Sequence, residues 1–303
     1  VADRPTRRTP RLNRARVVRT RRLSPGMVRV VLGGESLAGF PAGAYTDHYV
    51  KLLFPAKGVR YPEPFDLADI RARLPRDQWP VTRTYTVRAW DAQARELTVD
   101  FVVHGDEGLA GPWAARAEPG EEVLFLGPGG GYRPSPEADW HLLVADESAL
   151  PAVAASLESV PGGAPVHAFV EVAGPEEEQD LALPPNAGLR WLHRGTGRVG
   201  ARLVEAVRAL DFPPGDVQAF VHGEAGWVRE LRRHLRTERG VPRERLSVSG
   251  YWRLGHDEDG WQESKREWNA RVEAEQEEAP GAPASPAGAA GAGARAEEGA
   301  RTR

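Results

Sequence analysis

Leu142-Leu143-Val144-Ala145-Asp146-Glu147-Ser148-Ala149-Leu150-Pro151 decides the fold of this chain. Its four uninterrupted apolar residues read as a short strand buried on both faces. A polar turn follows, and Leu150 to Val160 then reads as a helix, with Ser148 as its candidate cap and Pro151 in its first turn. The pattern recurs downstream. Val166 to Val172, Leu189 to Leu192, Val217 to Val221 and Leu246 to Val248 read as strands, while Ala201 to Leu210 and the basic stretch Trp227 to Arg236 read as helices. Such alternation predicts a parallel sheet flanked by helices. Ligands of such sheets dock beyond the C-terminal strand ends.

Upstream of this stretch the rhythm is different. Met27 to Leu32, Tyr49 to Phe54, Arg83 to Trp90, Leu97 to Val103 and Val123 to Leu126 read as strands separated by Gly/Pro turns. Short strands at this spacing predict an antiparallel β-barrel. The change of rhythm falls near Arg133-Pro134-Ser135-Pro136. The expected architecture is two-domain: an antiparallel barrel over 13–134, then an α/β parallel-sheet domain over 135–256. A C-terminal helix over 257–278 carries Trp261, Trp268 and Val272 on one face. The remainder, 279–303, lacks large apolar groups and reads as a disordered tail.

Residues 1–12 read as a basic disordered arm. The arginines from Arg4 through Arg22 (Arg7, Arg8, Arg11, Arg14, Arg16, Arg19 and Arg21 between them) face one acid, Asp3, and read as a mobile, solvated extension. No apolar stretch follows the Arg7-Arg8 or Arg21-Arg22 pair, so an export signal is not expected and the cytoplasm is. The net charge of -3 gives no global pull toward nucleic acid. No apolar run approaches the roughly 18 residues of a membrane span. The absence of cysteine excludes disulfides, thiolate nucleophiles and cysteine-ligated clusters. The eight histidines show no metal-binding spacing, and there is no Gly-x-Ser-x-Gly elbow, Walker loop or Gly-x-Gly-x-x-Gly after a strand. Gly127 to Gly131 ends a barrel strand with no helix pattern behind it.

Three segments carry candidate chemistry. Arg83-Thr84-Tyr85-Thr86 puts a guanidinium, an aromatic ring and hydroxyls within four residues of one strand. A guanidinium fork suits a diphosphate, a tyrosine a flat heterocycle, and a hydroxyl a ring nitrogen; the same pattern also describes an ordinary amphipathic strand. His104 through Ala114 holds Gly105, Gly108 and Gly111 before Trp113, a turn whose backbone N–H groups are placed for phosphate. Asp146 to Pro151 and His222-Gly223-Glu224-Ala225-Gly226 both fall at strand ends, where a nucleotide should dock.

In this order and spacing the segments resemble the siderophore-interacting protein family, ferric-siderophore reductases of the ferredoxin–NADP reductase-like superfamily. The resemblance covers about Leu12 to Glu275. It includes Arg83-Thr84-Tyr85-Thr86, the loop from His104 to Ala114, Asp146 to Ala152, Gly223-Glu224-Ala225 and Gly250-Tyr251-Trp252-Arg253. It implies FAD held by Arg83, Thr84, Tyr85, Thr86, Asp100, Phe101, His104, Gly108, Ala110, Trp113 and Ala114. NADPH or NADH would be met by Asp146, Glu147, Ser148, Ala149, Gly223, Glu224, Ala225 and Trp252, with Arg194, Arg229, Arg232 and Arg233 as candidates for a 2′-phosphate. A ferric siderophore would be met by Lys51, Arg133 and Arg253. The implied activity is NAD(P)H-dependent reduction of Fe(III) to Fe(II) by a monomer, with no catalytic residue and no resident metal. A flavin-binding module without turnover, or a reductase of a quinone or soluble electron carrier, is the alternative. Two departures stand out. The family's Gly-Pro-Ala in the diphosphate loop is Gly108-Leu109-Ala110 here, and an arginine found in many members after Gly-Pro is absent from Gly127-Pro128-Gly129-Gly130, although Arg133 is close by.

Overall fold

The computed structural model describes residues 11–106, 108–256 and, beyond these, 260, 261, 264, 265, 267, 268 and 270. The N-terminal half contains β1 (Leu12–Ser24), β2 (Met27–Gly33), β3 (Tyr49–Phe54), α1 (Leu67–Arg73), β4 (Val81–Asp91), β5 (Glu96–Val102), α2 (Ala110–Arg116) and β6 (Glu122–Gly129). Its strands close an antiparallel barrel in the order β1-β2-β5-β4-β3-β6. Val30, Leu32, Val50, Leu52, Leu97, Val99, Phe101 and Phe125 fill it, alternating along their strands with outward residues as the two-residue period demands.

The C-terminal half contains β7 (Trp140–Ala145), α3 (Leu150–Leu157), β8 (Val166–Val172), β9 (Ala187–His193), α4 (Ala201–Arg208), β10 (Val217–Glu224), α5 (Ala225–Arg233) and β11 (Leu246–Trp252). All neighbours pair parallel, in the order β11-β10-β7-β8-β9. Every residue of β7 is buried, because helices cover both faces; this is why its sequence runs apolar without alternation. Trp261 and Trp268 lie in the core on the α4–α5 side, their rings 5.4 Å apart. Val272 and the tail fall outside the described residues, as does the arm over 1–10.

The first barrel strand corrects the reading of the basic N-terminus. Arg14, Arg16, Arg19, Arg21 and Arg22 belong to β1, which pairs with β2 and β6. Asn13, Ala15 and Val17 turn inward while Arg14 and Arg16 turn outward. Arg14 bridges Glu63 and Glu122, and Arg19 forks onto Glu96 at 2.7 and 2.8 Å. The small inward residues carry a weak hydrophobic signal, and the outward charges masked the strand.

The two halves are joined by a shared buried surface. Met27 and Tyr132 from the barrel side enter the cluster around α3, and Thr46 shares a 2.8 Å hydrogen bond with Ser156 of α3. Arg88 of β4 pairs with Glu158 at the end of α3, and Ser24 donates to Glu177. Among the described residues, no helix is long and apolar enough to cross a membrane.

Candidate functional site

One ladder of the closed barrel is short. The β4–β5 ladder runs from Asp91–Glu96 to Val87–Val99 and stops there. Beyond it, Val81 to Thr86 continue along β3, while Asp100 to Val102 continue along β2. The two strands part at the Arg83–Thr86 segment. Helix α2 packs behind this split with Ala110, Gly111, Pro112 and Ala114 buried, and a Cβ on Gly111 would lie 2.8 Å from the Val102 carbonyl oxygen. Close helix–strand packing therefore requires glycine there.

Register assigns the side chains to faces. Arg83 and Tyr85 lie opposite Leu52 and Val50, on the inner face; Thr84 and Thr86 lie opposite Lys51 and Tyr49, on the outer face. The Tyr85 ring meets Phe101 at 4.3 Å, Phe101 meets Trp113 at 5.5 Å, and Trp113 meets Phe54 at 5.6 Å. An aromatic wall thus backs the split. The turn before α2 bends through Gly105 and Gly108, both with positive φ and with open space where a Cβ would stand. A guanidinium, an aromatic wall and a glycine turn lie about the end of this ladder, and these groups fit a flavin dinucleotide. Ala110, Phe101 and Ala114 are buried, so their side chains contribute packing. The Asp100 carboxylate is taken by Arg29, which donates at 2.7 and 2.8 Å. Glu107 lies outside the described residues.

At the C-terminal edge of the parallel sheet, Asp146 is fully buried and accepts five hydrogen bonds. They come from the Ser148 N–H (3.0 Å) and hydroxyl (2.5 Å), the Glu224 N–H (2.7 Å), and the indoles of Trp252 (3.0 Å) and Trp227 (3.4 Å). Burial, reinforced by repulsion from Glu147, nevertheless pushes its pKa up to about 6 against these donors. Asp146 thereby ties the ends of β7, β10 and β11 together. Ser148 serves this network rather than capping α3, whose cap is Ala149 without a side-chain bond. Glu224 caps α5, accepting from the Gly226 and Trp227 N–H groups. Gly223 has φ 152°, and a Cβ there would meet Asp146 Oδ2 at 2.4 Å.

Glu147 pairs with Arg194 at 2.5 and 3.1 Å, and Arg194 also donates to buried Glu171 at 3.3 Å. Burial raises the Glu171 pKa, opposed by the Gly200 N–H and Arg194. Arg194 is therefore already neutralised, which removes it as a ready-made 2′-phosphate partner. Glu147 and Arg194 line a cleft of about 110 Å³ between the two halves, together with Val103, His104, Glu177 and Gln179.

The outer face of β3 and β4 meets β11. The Tyr251 hydroxyl shares a hydrogen bond with Thr86, and burial raises its pKa, with Asp47 adding to the effect. His222 stacks on Phe220 at 3.7 Å and presents its edge to Tyr251 at 5.2 Å. Burial pushes the His222 pKa down to about 3, with Lys265 contributing, so the ring is neutral at physiological pH. Lys51 is exposed on this face, and Arg253, half-buried, follows Trp252 at the end of β11. Arg133 lines a cleft of about 210 Å³ with Tyr45, His48, Arg88 and Trp90. Sequence reasoning missed Arg29 and Glu171, whose partners are distant in the chain, and gave no role to Tyr49.

Comparison with known proteins places this arrangement. The profile described as "Siderophore-interacting FAD-binding domain" matches residues 16–132, and that described as "Siderophore-interacting protein" matches residues 138–255. An uncharacterized protein of Mycobacterium tuberculosis is 48% identical over 83% of this chain and 93% of its own length. Ferric vibriobactin reductase ViuB of Vibrio cholerae is 36% identical over 82% of this chain and 92% of its own. The crystal structure of a siderophore utilization protein from T. fusca, 42% identical, superposes with a TM-score of 0.71 over 82% of this chain and 95% of that one.

Proposed function

The chain belongs to the siderophore-interacting protein family, and from that premise we propose that it is an FAD-dependent NAD(P)H:ferric-siderophore oxidoreductase. The observation that carries this reading is the end of the β4–β5 ladder at Val87–Val99, with Arg83 and Tyr85 on one bank and the Gly105–Gly108 turn on the other. The reading assigns 13–134 to FAD and 135–256 to the dinucleotide. When bound, FAD supplies hydride acceptance and one-electron donation. The chain's own residues then have defined tasks. Arg83 pairs with the diphosphate, and the backbone of the glycine turn donates to it. Tyr85, backed by Phe101, supports the flat ring system.

NADH or NADPH enters between Val103–His104 and the β7 end, where Glu147 lines the cleft and Asp146 holds the strand ends in place. The ferric chelate approaches the outer face at Lys51 and Arg253. No proton-transfer residue is needed at the iron. Fe(II) is less highly charged than Fe(III) and is held more weakly by hard oxygen ligands. The reading describes a monomer working in the cytoplasm, where NAD(P)H is supplied.

The test is an anaerobic titration of the purified protein. Stoichiometric FAD is expected, bleached by NADH or NADPH and restored by a ferric siderophore. Restoration by a quinone but not by any ferric siderophore would overturn the reading.

A further inference from the structure

The cleft that Glu147 and Arg194 line is walled on its barrel side by Ser24, Gly26, Val103 and His104, and on its sheet side by Glu177 and Gln179. Glu177 ends the short helical turn Pro175–Glu177 that follows β8. Its carboxylate crosses to the β1–β2 turn. There one oxygen, Oε2, accepts both the Ser24 hydroxyl at 2.5 Å and the Gly26 N–H at 3.0 Å. Gly26 passes the link on, since its carbonyl accepts from the Val103 N–H at 2.8 Å. Val103 opens the stretch that leads through Gly105 and Gly108 into α2. A single glycine thus stands between a carboxylate of the sheet half and the first residue of the turn assigned to the diphosphate. Gln179 adds a 3.1 Å contact to the sulfur of Met27, the next residue.

The sequence is fitted to this clasp. Gly26 lies outside the left-handed region, so the turn itself does not demand a glycine. The carboxylate does. A Cβ at 26 would lie 2.9 Å from Glu177 Oε1, 3.1 Å from Oε2 and 3.2 Å from Cδ, its three nearest atoms beyond the adjoining residues. Ser24 is buried, and a buried hydroxyl needs a partner. The far end of α3 is pinned separately, by Thr46 on Ser156 and Arg88 on Glu158. Thr46, Arg88 and Glu158 border the other cleft, the one that Arg133 lines. Of the two pins, the Glu177 clasp is the one that borders Val103 and His104.

We propose that Glu177 is a positioning residue for hydride transfer: through Ser24 and Gly26 it sets the gap between the sheet and the turn that begins at Val103, and with it the alignment of nicotinamide and flavin. This rests on the reading that NAD(P)H enters this cleft. Both donors converge on one oxygen, so what counts is where the acceptor sits. A misplacement of about 1 Å far from the chemistry can slow a reaction by about a hundredfold. A clasp that only stabilised the fold would change unfolding and leave the transfer rate alone, so the test must read the rate apart from stability and binding.

The experiment uses FAD-loaded protein. Stopped flow gives the limiting rate of flavin reduction and the apparent Kd for NADH and NADPH, urea unfolding gives stability, and hydrogen exchange is read on the peptide covering 103–109. Glu177→Ala should lower the limiting rate by about tenfold, move Kd by less than about threefold, and speed exchange in that peptide. Glu177→Gln keeps an acceptor in the same place and should restore both rate and protection. Gly26→Ala, whose Cβ meets the movable end of one side chain, should slow reduction by about threefold with little loss of stability. In the Glu177→Ala background it should add nothing, because the group it displaces is gone. Glu158→Ala removes the far pin and should leave the limiting rate within about twofold of wild type. A Glu177→Ala protein that holds FAD and is reduced at the wild-type rate, a glutamine variant as slow as the alanine one, or additive losses in the double variant would overturn the assignment while leaving the reductase reading intact. If Glu177→Ala fails to hold FAD, Gly26→Ala decides alone, and wild-type rate and exchange there would overturn the assignment. A wild type whose flavin is reduced by neither nucleotide would overturn the dinucleotide reading and this role with it.

Discussion

At the edge of the parallel sheet one carboxylate, Asp146, collects five donors and locks the ends of β7, β10 and β11. Across the interface the barrel does the reverse: its β4–β5 ladder stops at Val87–Val99, and aromatic rings pack where the two strands part. The sheet uses polar groups to fix geometry before a ligand arrives, whereas the barrel gives up ladder bonds where a ligand would supply new ones. The difference predicts that changes at the sheet edge act first on stability and changes at the split act first on cofactor retention.

The largest effect should come from removing the lock. Asp146→Ala leaves five donors without their acceptor and should cost on the order of 3 kcal/mol, read from urea unfolding. The same carboxylate gives a pH signature. Its folded pKa of about 6 lies above the unfolded value of about 4, so the folded chain holds the extra proton in between. The stability it contributes is fully present below the unfolded value and is lost as pH rises through about 6. Asp146→Asn should flatten that part of the stability profile. If the profile between pH 4 and 7 is unchanged by the substitution, the buried carboxylate is not its source.

Arg83→Ala tests the other side. Losing one charge-assisted contact to a diphosphate, worth roughly 1.5–3 kcal/mol, should weaken FAD binding by about ten- to a hundredfold with little change in unfolding. FAD retained in full through gel filtration would break the contrast. A smaller effect is expected at the cleft between the halves. Glu147→Gln frees one side of Arg194 and should raise the kcat/KM ratio of NADPH over NADH by about fivefold, since Arg194 could then meet a 2′-phosphate. An unchanged ratio would place Arg194 outside the dinucleotide site.

How far the sequence revealed this depends on whether a signal is local. The strand Leu142 to Ala145 and the turn after it were legible because burial on both faces writes a continuous apolar run. Arg83-Thr84-Tyr85-Thr86 was legible as a strand because its residues alternate. β1 was not, because its inward residues are small and its outward ones are arginines. Nor was the work of Asp146, whose partners Glu224, Trp227 and Trp252 stand 78 to 106 positions away. Ser148 has the residue type of a cap, yet the nearby carboxylate claims its hydroxyl. The split itself is a matter of register between β4 and β5, which no single strand's sequence records.

The most direct test of the central claim is hydrogen exchange on the purified chain with and without FAD, read on peptides covering 81–86 and 103–109. The account predicts that FAD slows exchange in both peptides together, and that Arg83→Ala reduces this protection at a fixed FAD concentration. FAD binding that leaves both peptides unprotected, or protects only the ends of β7 and β10, would contradict it.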